Sequence, residues 1–140
     1  MKEFITHSES DTIELACGIA ASLPTKTIIF LEGELGAGKS VFARALIRSL
    51  AKDSDLNVPS PTFTLLQTYE TPRAPIWHYD LYRMKEPEEI GELSWDDALA
   101  DGIVLIEWPE RLDYLKPPGR TIRIETISGH PNSRKISIEE

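Results

Sequence analysis

The sequence predicts an α/β domain whose sheet has mixed strand direction. Apolar strand-like segments alternate with segments of helical periodicity in the first half of the chain, as in parallel strand–helix–strand units. Two further apolar segments are separated only by a proline-containing turn, which is typical of an antiparallel hairpin. The chain of 140 residues is long enough for one core and too short for two. We therefore predict a single three-layer domain, residues 1–140, with a partly antiparallel sheet.

The first predicted elements are an edge strand and a helix. The strand covers residues 3–7, and Ser8 followed by Asp11 has the spacing of a helix N-terminal capping box. The helix extends to Leu23, where a proline ends it. Cys17 falls on its predicted buried stripe. A single cysteine excludes an internal disulfide and is typical of a reducing compartment, so we expect a cytoplasmic protein.

The next unit contains the most specific motif of the chain. Residues 33–40 are GELGAGKS, which fits the pattern G-x-x-x-x-G-K-[ST], and they lie between an apolar strand, Thr27–Leu31, and a helical segment, 41–50. Such a loop directs backbone N–H groups at phosphate, with a helix N-terminus behind them. Lys39 would contact the β- and γ-phosphates and Ser40 would ligate Mg²⁺. The motif predicts a P-loop NTPase-like domain that binds a nucleoside triphosphate.

The second half of the chain is predicted to contain mostly strands. Two prolines make residues 57–61 a loop. The segment 86–101 has seven carboxylates and no basic residue, and its apolar residues indicate one helix or two short ones. The predicted strands are Phe63–Glu70, Ile76–Asp80, Ile103–Ile106, Thr121–Ile127 and Lys135–Ile138.

Two acids end apolar strands in this half. A phosphate loop requires a carboxylate at the end of a neighbouring parallel strand, and Glu107 has this position, so we expect it to hold Mg²⁺ through water or to orient the attacking water. Asp80 would activate water or support the metal, and it would serve equally well as a strand-end cap or a partner of Arg83. His78, although it shares a face with Asp80, is expected to be packed and not catalytic.

The segment Ser60–Thr64 lies between the loop–helix unit and the hairpin. Its small hydroxyl residues resemble a switch segment in which Thr62 senses the γ-phosphate and the metal. Hydrogen bonds within the turn explain the same residues, and from the sequence alone this second interpretation is preferred.

The charge of the chain argues against direct binding of nucleic acid. There are 23 acidic and 15 basic residues, a formal net charge of −8, whereas phosphate backbones are held by basic surfaces. No segment approaches the length of a membrane span, and the first residues lack a signal-peptide pattern. We expect a protein that acts away from membranes and that contacts any RNA through partners.

Four segments together resemble the bacterial TsaE (YjeE) family of ATPases, in order and spacing over nearly the whole chain. These segments are Gly33–Ser40, Ser60–Thr64, His78–Arg83 and Leu105–Pro109. The resemblance implies an ATPase that needs Mg²⁺ and supports threonylcarbamoyl modification of the tRNA adenosine next to the anticodon. It also implies the partner proteins TsaD and TsaB, with tRNA reached only through their complex.

The resemblance also implies roles for individual residues. Asp80, Glu107 and Lys39 would be catalytic, with Asp80 leading, and Ser40 and Glu107 would bind Mg²⁺. The residues implied to hold the nucleotide are Leu35, Gly36, Ala37, Gly38, Lys39, Ser40 and Val41 at the phosphates, Thr62 in a nucleotide-responsive segment, Trp108 beside the nucleotide or in a partner-facing wall, and Thr12 and Arg134 near the base.

Two other functions use the same loop. One is a nucleotide-gated binding module in which hydrolysis has no role, and the sequence does not distinguish it from an ATPase. The other is a small-molecule kinase, which usually has an arginine-bearing lid over the transferred phosphoryl group; the arginines here are scattered along the chain. A GTPase is disfavoured because the guanine-specific segment Asn-Lys-x-Asp is missing.

Overall fold

The computed structural model describes residues 1–140, and one seven-stranded sheet is its centre. The strand order across the sheet is β1-β7-β6-β2-β5-β4-β3. The strands are β1 Lys2–Thr6, β2 Thr27–Glu32, β3 Leu66–Tyr69, β4 Ile76–Asp80, β5 Ile103–Glu107, β6 Arg120–Ile127 and β7 His130–Glu139. The helices are α1 Glu9–Ser22, α2 Lys39–Ala51 and α3 Trp95–Ala100, with 3₁₀ helices at Pro87–Glu92 and Pro109–Leu115.

The sheet has a parallel centre and antiparallel margins. Strands β4, β5, β2 and β6 are parallel to one another, whereas β3 pairs antiparallel with β4, and β7 pairs antiparallel with both β6 and β1. The parallel strands are almost continuously apolar, as strands covered on both faces must be. The prediction of a mixed, partly antiparallel sheet is confirmed.

Helices cover both faces of the sheet, which gives the predicted three layers. Successive side chains of a strand point to opposite faces. In β2, Ile29 and Leu31 pack in the apolar cluster beneath α1 and α2, and Phe30 packs in the cluster beneath α3 and the 3₁₀ helices. The first of these clusters contains 20 buried residues and the second contains 10.

Local signals set the ends of α1, but its buried face differs from the prediction. Ser8 is the N-cap and accepts a hydrogen bond from the Asp11 backbone N–H at 3.1 Å. The Asp11 carboxylate accepts from the backbone N–H of His7, at 3.0 Å, one residue earlier than a capping box requires. Cys17 is exposed, and the prediction that it is buried was wrong. The buried stripe consists of Thr12, Ala16 and Ala20.

The structure revises the start of one predicted strand and selects between two predicted arrangements of the acidic segment. The strand predicted at Phe63–Glu70 begins only at Leu66, because a turn precedes it: the Leu65 N–H donates to the Pro61 carbonyl at 2.7 Å, and Leu65 has a φ of +68°. Phe63 is 79% exposed in consequence. The acidic segment forms two short helices, one of the two arrangements predicted. No helix in the structure is both long and apolar enough to cross a membrane.

Candidate functional site

The polar groups singled out in the sequence meet at the carboxyl ends of three parallel strands. In the sheet, Glu107 of β5 is level with Leu31 of β2 on one side and with Asp80 of β4 on the other. Glu107 is two residues beyond Leu105, which packs beneath α1 and α2, so strand alternation places its side chain on that same face. The same argument from Ile76 places His78 and Asp80 there.

The glycine loop, Gly33–Gly38, connects the end of β2 to the start of α2. Gly33 must lack a side chain, because a Cβ there would lie 2.7 Å from the backbone oxygen of Ile124. Gly38 is the N-cap of α2 with a φ of +106°, a conformation that favours glycine. Having no side chain, Gly38 gives no capping hydrogen bond. The first N–H groups of a 13-residue helix therefore remain available to an anion.

Lys39 is the first residue of α2 and lies at the centre of the site. Its side chain is buried, with 6% of the residue exposed. The Nζ atom donates to the Gly33 carbonyl at 2.5 Å and lies 3.5 Å from the ring centroid of Trp108. Burial lowers the pKa of Lys39, and the nearby carboxylates of Glu107, Asp80 and Glu110 oppose that shift. The ammonium group is thus held across the loop, facing the strand ends.

Glu107 is a buried acid with one defined partner. Its Oε2 lies 2.7 Å from Nε2 of His78, and both side chains are almost completely buried. No other hydrogen bond or ion pair involves its side chain, so Oε1 is not engaged by the protein. The expectation that His78 is only packed was incomplete. Its position two residues before Asp80 on a strand was the available signal, because alternation places both on one face.

Asp80 uses both carboxylate oxygens within the protein. Oδ1 accepts from the backbone N–H of Tyr82 at 3.0 Å, and Oδ2 accepts from the Thr62 hydroxyl at 3.1 Å. The hydroxyls of Thr62 and Ser60 are 2.7 Å apart. Asp80 therefore caps its own turn, as the simpler interpretation expected, and also ties the Ser60–Thr64 segment to the end of β4. It forms no ion pair with Arg83, whose guanidinium instead lies 4.8 Å from the Phe63 ring centroid.

Trp108 covers one side of the lysine. It follows β5 directly and has a φ of +60°, which is rare for a large residue and marks a sharp change of direction. Its ring also lies 5.0 Å from the ring of Tyr82, centroid to centroid. The second 3₁₀ helix starts at the next residue, Pro109. Trp108 thus forms a wall of the site beside Lys39.

The remaining predicted residues surround the other side of the glycine loop. A pocket of about 110 Å³ lies there, between α1, α2 and the start of β7. Arg134 fixes its shape: Nε donates to the Ala37 carbonyl at 2.7 Å, and a terminal nitrogen donates to the Pro131 and Ser133 carbonyls at 2.8 Å. The Thr12 hydroxyl is 2.8 Å from that of Thr6. The residues lining the pocket are Glu9, Thr12, Ala37, Gly38, Val41, Pro131, Asn132 and Arg134.

Three predicted residues lie at the outside of the loop. Leu35 is 71% exposed, and Gly36 and Ser40 are also exposed. Ser40 is the second residue of α2 and makes no hydrogen bond through its side chain. Two further residues of the site were not predicted: Glu110, which lies near Lys39, and Tyr82, whose ring lies against that of Trp108. No local sequence pattern predicts either contact.

The site fits a Mg²⁺ ion that binds together with phosphate. No group of three or more His, Cys, Asp or Glu side chains could hold a metal ion by itself. Mg²⁺ at phosphate sites usually takes one or two protein oxygens and completes its shell with water and phosphate oxygens. The Ser40 hydroxyl and the Oε1 atom of Glu107 are oxygens of this kind, and neither is engaged elsewhere.

These features define a class of protein. A glycine loop from a central parallel strand to an uncapped helix, with a buried lysine facing carboxylates at neighbouring strand ends, is characteristic of the P-loop NTPase-like fold. The crystal structure of YdiB from Bacillus subtilis superposes with a TM-score of 0.75 at 25% identity, covering 98% of this chain and 83% of YdiB.

Sequence comparison defines the family more narrowly. The model of the family "Threonylcarbamoyl adenosine biosynthesis protein TsaE" matches residues 6–136. Proteins named tRNA threonylcarbamoyladenosine biosynthesis protein TsaE are similar over most of their length. The one from Rickettsia felis is 44% identical over 96% of this chain and 77% of its own, and the one from Aquifex aeolicus is 38% identical over 99% and 96%. The chain belongs to the TsaE family.

Proposed function

We propose that this protein is a Mg²⁺-dependent ATPase that takes part in threonylcarbamoyl modification of the tRNA adenosine next to the anticodon. Family membership supports a part in this pathway, because related proteins are named tRNA threonylcarbamoyladenosine biosynthesis protein TsaE. The observation that carries the ATPase activity is Lys39, buried at the uncapped start of α2 and surrounded by Glu107 and Asp80. A charged lysine in a low-dielectric site attracts phosphate much more strongly than one in water.

Each side of the glycine loop would have its own part in binding. The N–H groups at the start of α2 and the Lys39 ammonium would hold the phosphates, and Lys39 would exchange its bond to the Gly33 carbonyl for bonds to phosphate oxygens. The pocket bounded by Thr12, Val41 and Arg134 would accept the nucleoside. Ser40 and Glu107 would hold Mg²⁺, which when bound neutralises charge on the phosphates.

Asp80 would orient and deprotonate the attacking water. Its carboxylate is buried on the face that also presents Lys39 and Glu107, and it would accept the proton at Oδ2 once the Thr62 hydroxyl turns away. The Thr62 bond thus links the loop 60–64 to the catalytic carboxylate. Trp108 would exclude water from the lysine side.

The partners we propose are TsaD and TsaB, with tRNA bound only through their complex. A net charge of −8 supports indirect contact with RNA, since a phosphate backbone would be repelled. The proposed pathway implies a cytoplasmic location.

A nucleotide-gated binding module is the second candidate. It is favoured by the hydrogen bonds of Asp80, because a carboxylate that accepts from Thr62 and from the Tyr82 backbone is suited to hold a loop in place. In such a module, ATP would reorder residues 60–64 and so control docking, and hydrolysis would have no role.

Steady-state ATP hydrolysis distinguishes the two candidates. Turnover by the purified chain is measured alone and with a purified TsaB–TsaD pair, with Lys39→Ala as the blank. We expect slow turnover by the chain alone and a clear increase with the pair. Equal, slow turnover in both conditions would favour the gated module, and no ATP binding at all would refute both candidates.

A further inference from the structure

His78 is a buried polar side chain for which the proposed function has no role. The residue is 2% exposed and lies in the middle of β4, between β3 and β5 in the sheet. Its Nε2 is 2.7 Å from Oε2 of Glu107, while its Nδ1 is buried and has no hydrogen-bond partner. An imidazole placed here has one strong contact, and that contact is to the acid assigned to the metal.

Packing alone does not account for a histidine at this position. Two residues earlier on the same face of β4, Ile76 fills the equivalent space with an apolar side chain. A buried polar group without a partner costs free energy, and here Nδ1 is such a group. A contact with Asp80, two residues later, does not explain the imidazole either, because the oxygens of Asp80 accept hydrogen bonds from Thr62 and Tyr82. The hydrogen bond to Glu107 is therefore the interaction that favours an imidazole at this position.

The direction of the hydrogen bond follows from the chemistry of its two groups. An ionised carboxylate only accepts, so Nε2 carries the hydrogen and donates a hydrogen bond to Oε2. Strand pairing with β2 and β4 fixes the backbone of Glu107, but its side-chain torsions are free to rotate until a partner holds them. The Nε2–H group holds one oxygen, and Oε1 remains as the free acceptor.

We propose that His78 is a positioning residue that orients the Glu107 carboxylate for Mg²⁺ by binding its Oε2 and leaving Oε1 to the metal or its water. This inference rests on the proposed function, because it assigns Glu107 to the metal. A hydrogen-bond donor behind a metal-binding carboxylate is the usual way in which proteins fix such a ligand, and its loss costs about 10- to 100-fold in metal affinity.

The test compares ATP affinity with Mg²⁺ and in EDTA for the wild type, four single variants and one double variant. His78→Leu removes the donor. His78→Gln places an amide N–H about as far from the backbone as Nε2, and His78→Asn, the matched control, has the same amide but too short a reach. Glu107→Gln gives the effect of losing the carboxylate itself. Circular dichroism and thermal melting establish that each variant is folded.

We expect His78→Leu and His78→Asn to lose about 10- to 100-fold of the gain in ATP affinity that Mg²⁺ provides, with affinity in EDTA unchanged. His78→Gln should retain most of that gain. The double variant His78→Leu/Glu107→Gln should lose no more than Glu107→Gln alone, because both changes remove one interaction.

The outcomes separate this inference from the proposed function. Two results would overturn the positioning role and leave ATP binding intact. One is a His78→Leu variant that keeps the whole gain in ATP affinity provided by Mg²⁺. The other is an equal loss of that gain in His78→Gln and His78→Asn. Wild-type protein that binds ATP equally well in Mg²⁺ and EDTA would also overturn the positioning role. Wild-type protein that does not bind ATP would refute the proposed function itself, and the inference with it.

Discussion

The two faces of the sheet are built differently, and only one of them carries charged groups into the interior. Beneath α1 and α2, helices of 14 and 13 residues, lie the larger apolar cluster and the side chains of Lys39, Asp80 and Glu107. The opposite face is covered by α3, of six residues, and by two 3₁₀ helices, over a smaller apolar cluster. The start of α2 presents unpaired N–H groups that can hold an anion, whereas the short helices of the opposite face cover apolar side chains of the sheet.

The second face nevertheless contributes to the site at its border. Trp108 precedes the second 3₁₀ helix, and its left-handed backbone conformation returns the ring to the face of Lys39. Glu110, on the same helix, adds negative charge near that lysine. One face therefore holds the groups that we assign to the nucleotide, and the other face supports them.

Asp80→Asn should reduce partner-stimulated ATP turnover by about 10²- to 10⁴-fold, the usual contribution of a general base. The variant should fold normally, because an amide oxygen still accepts from the Tyr82 backbone N–H. Steady-state turnover with the TsaB–TsaD pair is the measurement. Thr62→Val is the control: it removes the bond to Oδ2 but keeps the carboxylate, so its loss should be smaller. Undiminished turnover in Asp80→Asn would leave Asp80 as a cap and remove it from the mechanism of hydrolysis.

Replacing a buried isoleucine by alanine should lower the free energy of unfolding more on the face beneath α1 and α2 than on the opposite face. Ile47 of α2 and Ile90 of the first 3₁₀ helix are both buried and lose the same atoms on substitution by alanine. Ile47→Ala should lower the free energy of unfolding by about 2–5 kcal/mol, and Ile90→Ala by an amount at the low end of that range, because a short helix can move into the space. Urea denaturation measures both values.

The ATP affinity of folded Ile90→Ala should equal that of the wild type, since Ile90 lies in the apolar cluster on the face opposite to Lys39, Asp80 and Glu107. A larger loss of stability in Ile90→Ala than in Ile47→Ala, or a loss of ATP affinity, would contradict the division between the two faces.

The smallest expected effect is a pH dependence of opposite sign on the two faces. Burial lowers the pKa of Lys39 below its ordinary 10.5, so the folded state holds fewer protons there than the unfolded state, and stability rises with pH up to 10.5. Burial raises the pKa of Tyr79 above its ordinary 10.0, so the folded state keeps a proton that the unfolded state releases, and stability falls above pH 10.0.

Two variants separate the contribution of Lys39 to stability from that of Tyr79. Lys39→Met should melt at a higher temperature than the wild type near neutral pH, because it removes a buried charge. Tyr79→Phe loses the hydrogen bond from the phenol to the Leu93 carbonyl, so it should be less stable at neutral pH and lose less stability on going above pH 10.0. Thermal melting over a pH series measures both, and a Lys39→Met variant that melts below the wild type would contradict the first expectation.

Local sequence patterns predicted the parts of the molecule that depend on neighbouring residues. The strand, glycine loop and helix from β2 to α2 are formed by a contiguous segment, so their limits were predicted within one or two residues. The fold class and the family resemblance are confirmed. The roles assigned to individual site residues stay predictions, as does the assignment of residues 1–140 to one domain. Cys17 was mispredicted because burial depends on packing between elements distant in sequence. The start of β3 was mispredicted because a turn from Pro61 to Leu65 interrupts a segment whose residues are typical of a strand.

The sequence by itself determined that a glycine loop precedes a helix and that acids end two apolar strands, because a motif and a strand pattern are properties of adjacent residues. Only the tertiary structure decided which groups meet. Parallel pairing of β4, β5 and β2 sets Asp80 level with Glu107, and strand alternation brings His78 to the same face, within 2.7 Å of Glu107. These residues are 27 and 29 positions apart from Glu107, and a distance of that kind is set by sheet register, which no local pattern contains.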